Sequence, residues 1–139
     1  MTKLDMAWKN CLKEWDGVIK ILDWLENLGI KVADGEPITI HSIKRLWLEL
    51  NGYGDICCDC FFCQYADERG GQFDYPEYIN SSCSKCPGTL VDSSFDCEPH
   101  NSDDPCWIDN PREFYQKLLK LNEQRLKGKR NESRKIRNI

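Results

Sequence analysis

The sequence has few of the residues and none of the motifs on which most metalloenzymes and nucleotide-binding enzymes depend. It contains only two histidines, whereas a catalytic zinc usually keeps an open coordination position and takes histidine among its three protein ligands. The motifs H-E-x-x-H, G-x-x-x-x-G-K-[ST], G-x-G-x-x-G and G-x-S-x-G are all absent. We therefore expect no enzymatic activity and no small-molecule substrate.

Long apolar runs are also missing. No stretch approaches the roughly 18 apolar residues of a membrane span, and the first ten residues lack the apolar core of a secretory signal. The sequence therefore predicts a cytoplasmic protein with no membrane partner. In a reducing compartment, clustered cysteines bind metal more often than they form disulfides.

Positive charge is scarce over most of the chain. Among the 139 residues, residues 1–111 contain nine Lys and Arg against twenty Asp and Glu, while residues 112–139 contain ten against three. The body is thus acidic and the C-terminus basic. Basic side chains near the C-terminus could contact nucleic-acid phosphates; the candidates are Lys127, Lys129, Arg130, Arg134 and Lys135.

Apolar side chains at helical spacing predict three helices. The stripe over residues 4–28 indicates a long first helix closed by Gly29, and Gly17 lies inside it as a residue expected to weaken or bend it. A second stripe predicts a helix over residues 43–50 capped by Ser42, with Ile43, Leu46, Trp47 and Leu50 as its apolar set. Asn110-Pro111 with Glu113 predicts the start of the third helix.

Residues 52–110 show neither helical nor strand periodicity, and we expect them to need support other than a hydrophobic core. The predicted fold is α-rich, small and zinc-binding: a helical hairpin over 4–51, an irregular, ribbon-like zinc-knuckle segment over 52–110, and a helix over 111–126. These form one zinc-stabilised domain, residues 1–126. Residues 127–139 are predicted to be a basic, disordered tail.

Cysteine spacing supplies the strongest chemical prediction. The chain has nine cysteines, and two C-x2-C pairs, Cys60/Cys63 and Cys83/Cys86, are separated by 19 residues. Each pair can direct two thiolates at one ion, and four thiolates form the closed tetrahedral site of structural Zn²⁺. We therefore predict one zinc on Cys60, Cys63, Cys83 and Cys86. Free thiols, disulfides or an iron–sulfur cluster are the alternatives that the spacing leaves open.

Other potential ligands lie on either side of these pairs. Cys58 immediately precedes the first pair, and Cys97, His100 and Cys106 follow the second. They are candidates for a second site or for substitution of one ligand. Cys11 is expected to be a core residue of the first helix.

The segment from Val91 to Asn110 contains six acidic residues and neither Lys nor Arg. A zinc-supported loop of this charge would suit a basic groove on another protein, because complementary charge speeds association. The candidate protein-binding residues are Asp92, Asp96, Glu98, Asp103, Asp104 and Trp107; the last would be an aromatic anchor.

Together, Cys60-Phe-Phe-Cys63-Gln-Tyr-Ala, Cys83-Ser-Lys-Cys86-Pro, Cys97 and Asp104-Pro-Cys106-Trp107 before a Leu-rich helix resemble a family of small cysteine-rich proteins of bacteriophages and some bacteria. The similarity covers residues 55–125. It implies a phage source, a host cytoplasmic location and a zinc site, but no settled activity. The chain differs from the family by its additional Cys57, Cys58 and Cys106 and by its basic tail.

The sequence thus predicts a non-enzymatic zinc protein that binds and modulates or inhibits a host protein, such as a nuclease, a polymerase or a defence factor. The alternative is a zinc protein that binds nucleic acid through its basic C-terminus, and the third hypothesis is a zinc-dependent enzyme.

Overall fold

A computed structural model describes residues 1–69, 85–97 and 105–137. In order, the described elements are α1 (Lys3–Asn27), α2 (Ile40–Leu50), a 3-10 turn (Cys57–Asp59), α3 (Phe61–Glu68), α4 (Pro87–Val91) and α5 (Pro111–Arg137). No strand occurs in these three ranges. The helix-rich class is therefore confirmed, while the described part of the middle segment consists of short helices and turns.

Helix α1 has well-defined ends. At its start, the Thr2 hydroxyl accepts the Asp5 N–H at 3.0 Å and the Asp5 carboxylate accepts the Thr2 N–H at 3.2 Å, which forms a capping box. At its end, Gly29 adopts φ +79°, and Ile30 N–H donates to the Leu25 carbonyl at 3.0 Å. The predicted closure at Gly29 is confirmed, because this left-handed turn favours glycine.

Helix α2 begins three residues earlier than predicted. Thr39, rather than Ser42, is the N-cap: its hydroxyl accepts the Ser42 N–H at 3.1 Å, and Ser42 Oγ accepts the Thr39 N–H at 2.8 Å. The prediction of Ser42 as the cap was wrong because the serine serves as the reciprocal partner one turn inside the helix. The earlier start brings Ile40 into the core.

The buried face of α2 is also rotated from the predicted one. Leu46 and Leu50 are 44% and 71% exposed, although the sequence analysis placed them on the apolar face. The residues that α2 buries are Ile40, Ile43, Lys44, Trp47 and Leu48. A lysine thus occupies a core position at ordinary helical spacing.

Gly17 allows α1 and α2 to approach closely. A Cβ at Gly17 would lie 2.0 Å from Nε1 of Trp47, far inside any allowed contact distance. The predicted weak point of α1 is therefore the position against which the Trp47 indole packs.

The core contains aromatic rings from every part of the chain that the structure describes. Trp8 of α1 contacts Phe62 of α3 edge-on, with ring centroids 4.7 Å apart, and Trp15 contacts Phe114 of α5 at 5.0 Å. Phe95, which follows α4, is also buried. The sequence predicts that residues 52–110 need support other than a hydrophobic core. Their aromatic residues Phe61, Phe62 and Phe95 nevertheless belong to the core cluster shared with α1 and α5, so tertiary packing supplies part of that support.

Helix α5 starts at Pro111 as predicted but continues to Arg137, beyond the predicted end at residue 126. Phe114, Leu118 and Leu121 form its buried face. One turn later, Arg125 and Lys129 each place a nitrogen 2.6 Å from Oδ1 of Asp5 on α1. Ion pairs thus continue the contact with α1 after the apolar stripe ends, which periodicity alone does not reveal.

Candidate metal centre

The first cysteine pair lies at the start of α3. Cys60 is the N-cap of α3, and Cys63 lies in the first turn of the helix. The two residues between them, Phe61 and Phe62, are buried. The Cys60 sulfur is hydrogen-bonded by the Cys63 thiol and by the N–H groups of Cys63 and Phe62. The Cys63 thiol is the largest cause that lowers the pKa of Cys60 to about 6, with the Lys44 ammonium contributing. These hydrogen bonds favour the thiolate of Cys60, the form that binds metals.

Cys58 lies beside this pair. The Cys63 side chain is hydrogen-bonded to Cys58 and to Cys60, and these contacts, together with burial, raise the pKa of Cys63. Cys58 and Asp59 have left-handed backbones, with φ +58° and +51°, and such conformations cost about 1–3 kcal/mol each in non-glycine residues. Arg45 holds this turn through a 2.9 Å hydrogen bond to the Asp59 carboxylate. The turn brings Cys58, a predicted additional ligand, to the first pair.

Cys86 of the second pair directly precedes α4 and is half-buried against the core. Next to it, a Cβ at Gly88 would lie 2.6 Å from the Phe95 ring, so glycine is required for this ring to pack under α4. The Lys85 ammonium donates to the Arg69 carbonyl at 2.7 Å, which ties this segment to the end of α3. Cys83 lies outside the described residues.

Cys60 and Cys86, one from each predicted pair, pack against the core cluster that contains Cys11, a buried core residue as predicted. Burial is the main cause that raises the pKa of the Cys11 thiol, and charge on Cys60, Glu14 and Cys86 raises it further.

Two ionisable residues that the sequence analysis missed line this region. Glu14 is fully buried, and neither of its carboxyl oxygens has a hydrogen-bond partner among the described residues. Burial, and secondarily the charge on Cys60, raises the pKa of Glu14 to about 9. Lys44 of α2 is 3% exposed. Both occupy apolar-stripe positions of their helices, which is the sequence pattern that could have identified them.

Within residues 1–69, 85–97 and 105–137, no group of three or more His, Cys, Asp or Glu side chains is arranged to hold a metal ion. Cys83, one of the four predicted ligands, is not in those ranges. Cysteine sulfur is a ligand that zinc accepts, the Cys63 thiol is hydrogen-bonded to Cys60, and Cys60 and Cys86 pack against the same core cluster.

The other predicted ligands lie further along the chain. Cys97 and Cys106 are half-buried, and the Trp107 N–H donates to the Cys97 carbonyl at 3.3 Å, so their segments lie side by side. His100 is outside the described residues. A second site formed by these residues stays a prediction.

Only part of the predicted acidic surface falls within the described residues. Asp92 accepts hydrogen bonds from Ser94 and pairs with Lys117 at 3.6 Å. Trp107 is half-buried, with the Lys44 ammonium 4.1 Å from its ring centroid, so it already packs within the protein. Asp96 is half-buried. The remaining acidic candidates, Glu98, Asp103 and Asp104, are outside the described ranges.

All five basic candidates lie on α5. Lys127 is exposed, whereas Lys129 pairs with Asp5. For Arg130, Arg134 and Lys135 the structure describes the helical backbone only.

No protein-family model matches the chain, and neither a curated protein nor a solved structure matches it significantly. Of the helices in the described residues, none is both long enough and apolar enough to cross a membrane.

Proposed function

We propose that the chain binds one structural Zn²⁺ through Cys60, Cys63, Cys83 and Cys86. The observation that carries this proposal is that Cys60 and Cys86, one from each pair, pack against the same core cluster, while the Cys63 thiol is hydrogen-bonded to Cys60. When bound, zinc would cross-link the segment before α3 to the segment before α4. Cys58, which is hydrogen-bonded to Cys63, is the nearest described substitute ligand.

We further propose that the protein is not an enzyme. Four thiolates would fill the tetrahedral coordination of zinc and leave no position for a water or a substrate. Glu14, the buried acid nearest to Cys60, is enclosed within the core and offers no accessible general base.

The proposed role of the metal-supported fold is to bind another protein, in keeping with the resemblance to small phage-encoded zinc proteins. The support is electrostatic: the segment from Val91 to Asn110 has six acidic residues and no basic residue, and among its described acids Asp109 is exposed. The pairing of Asp92 with Lys117 counts against that residue as part of the surface. A host protein with a basic groove, such as a nuclease, a polymerase or a defence factor, is the partner of matching charge.

This role is tested by charge reversal. Asp103→Lys with Asp104→Lys should slow association with a basic protein captured by the wild type, and the wild-type rate should fall with salt because exposed charges are screened. Asp34→Lys with Glu123→Lys is the matched control, since both residues are exposed and outside the segment. Equal slowing by both double variants would refute a specific acidic surface.

The second candidate function is nucleic-acid binding through the end of α5. It is favoured by the helical backbone that continues through Arg137, which would align the basic residues along a duplex. The Lys129–Asp5 pair opposes it, because this lysine already neutralises a carboxylate of the body. Removal of residues 127–139 should abolish binding of a labelled duplex, with a steep salt dependence in the full chain, if this alternative holds.

A further inference from the structure

The second half of α5 holds a carboxylate of α1 between two of its cations. The Arg125 guanidinium and the Lys129 ammonium each donate to Oδ1 of Asp5 at 2.6 Å. The two cations are four residues apart, so they project from the same face of α5. Two cations around one carboxylate leave this cluster with a net positive charge. Helix α5 thus carries an anion-binding pair, and the anion that occupies it is a side chain of the same protein.

The other oxygen of Asp5 is held at the start of α1. Its Oδ2 accepts the Thr2 N–H at 3.2 Å and the Thr2 hydroxyl at 2.8 Å. Leu121 ends the buried face of α5. After it, every hydrogen bond and ion pair that the described residues show between α5 and α1 ends on Asp5. Asp5 therefore fixes the basic half of α5 to the body of the protein.

This contact is accessible to a competing anion. The side chain of Lys129 is 48% exposed and that of Asp5 is 22% exposed, and ion pairs at such positions contribute little because water and salt screen them. The Arg125 side chain is only 12% exposed, and its guanidinium also lies 5.3 Å from the ring centroid of Trp8. Arg125 is thus positioned by an aromatic ring as well as by the carboxylate.

We propose that this contact is autoinhibitory: Asp5 occupies Arg125 and Lys129, and a phosphate of a DNA duplex binds the same two cations when it displaces Asp5. The inference rests on the second candidate function, nucleic-acid binding through the end of α5. Phosphate oxygens accept from guanidinium and ammonium groups as a carboxylate does. A duplex also presents several phosphates at once, and residues 125–137 contain seven Lys and Arg against one Glu. The Lys129–Asp5 pair then sets the strength of nucleic-acid binding and does not exclude it.

The proposal is tested with Asp5→Asn, which keeps an oxygen for the Thr2 N–H but removes the charge. Binding of a fluorescein-labelled DNA duplex, measured by anisotropy at low salt, should be about 3- to 30-fold tighter than in the wild type, because two ion pairs no longer compete with the phosphates. The slope of log affinity against log salt should steepen by about 1–2, since each additional phosphate contact adds about 0.9. Asp67→Asn removes the same charge at an exposed position of α3 and should leave both values near those of the wild type.

A double-variant cycle shows whether the effect passes through the paired cation. Lys129→Gln should weaken duplex binding, and Asp5→Asn should gain less affinity when Lys129→Gln is already present. Nuclear magnetic resonance gives a second readout: duplex added to the wild type should shift the amide signals of Thr2 and Asp5 as well as those of α5. Shifts confined to α5 would overturn the displacement of Asp5. If Asp5→Asn does not stay soluble, Asp5→Ser provides the same neutral comparison.

The outcomes separate the role of Asp5 from the function on which it rests. If neither the wild type nor Asp5→Asn binds the duplex, both the nucleic-acid function and the role of Asp5 are overturned. If both bind with equal affinity and equal salt dependence, binding through α5 stands and the role of Asp5 alone is overturned. Weaker binding by Asp5→Asn would show that the ion pairs build the binding site instead of blocking it, and would also overturn the proposal.

Discussion

Replacing Gly17 by alanine tests the packing of the helical hairpin directly. In an exposed helix interior, Gly→Ala stabilises by about 1 kcal/mol. At Gly17, however, the added Cβ would lie 2.0 Å from Nε1 and 2.3 Å from Cδ1 of Trp47, whereas carbon atoms in good contact are about 3.5–4.0 Å apart. To restore a normal contact distance from the added Cβ, the Trp47 ring would have to move by more than about 1 Å.

That movement has little space. Trp47 is 6% exposed and stacks on Tyr53, with ring centroids 5.8 Å apart. Overpacking a core typically costs about 1–3 kcal/mol, sometimes more, and weakening an aromatic pair costs about 0.5–1.5 kcal/mol. After subtraction of the helix-propensity gain, we expect Gly17→Ala to lower the free energy of unfolding by about 1–3 kcal/mol.

Gly128→Ala is the matched control. A Cβ there would meet no atom within 4 Å, so the same change inside α5 should raise the free energy of unfolding by up to about 1 kcal/mol. Urea unfolding followed by tryptophan fluorescence and circular dichroism measures both variants. Stabilisation by Gly17→Ala would refute the close approach of Trp47, and no gain at Gly128 would refute a stable helix beyond residue 126.

Three further predictions concern charge and metal. Lys129 and Arg125 hold the pKa of Asp5 well below its usual 3.8, so Asp5→Asn should be less stable than the wild type at pH 7. In thermal unfolding the difference should begin to shrink as the pH falls below about 4 and should vanish only below the lowered pKa of the folded protein. Burial raises the pKa of Glu14 from 4.5 to about 9, so metal-free wild type should lose stability as the pH rises across that interval while Glu14→Gln should not; parallel unfolding curves would contradict this. Chelation should remove amide dispersion from residues 52–110 but leave most helical circular dichroism, because α1, α2 and α5 pack through apolar faces; complete loss of helix would show that they depend on the metal.

Periodicity predicted the fold where one face of a helix is buried throughout. The stripe containing Trp8, Trp15 and Val18 is buried as predicted. Because α1 has 25 residues, its apolar spacing repeats over several turns, and a single exception does not change the predicted face. The face of the shorter α2 was predicted only in part: Ile43 and Trp47 are buried as expected, but Ile40, Lys44 and Leu48 complete the buried face in place of Leu46 and Leu50. Beyond its apolar stripe, α5 contacts Asp5, about 120 residues earlier in the chain. A local sequence pattern cannot predict a contact between residues so far apart.

For the candidate site, too, local spacing and tertiary packing give different information. Spacing predicted Cys60, Cys63, Cys83 and Cys86 as ligands, because a C-x2-C pair is a local geometry, and this ligand set stays a prediction. Spacing could not indicate that Cys60 and Cys86 pack against the core cluster that contains Cys11, since that depends on how the helices pack together. The burial of Glu14 and Lys44 was not predicted. Each is a charged residue at a position of an apolar stripe, and the predicted stripes contained apolar residues only.

The central claim is the zinc site, and the most direct measurement is the metal content of protein purified without added zinc. Elemental analysis combined with native mass spectrometry should find about one zinc per chain in the wild type and in the control Lys13→Ser, at an exposed position of α1. Cys60→Ser, Cys83→Ser and Cys86→Ser should each lose it, because removal of a thiolate ligand opens the tetrahedral site. Wild-type protein without zinc, or full retention in all three ligand variants, would contradict the account.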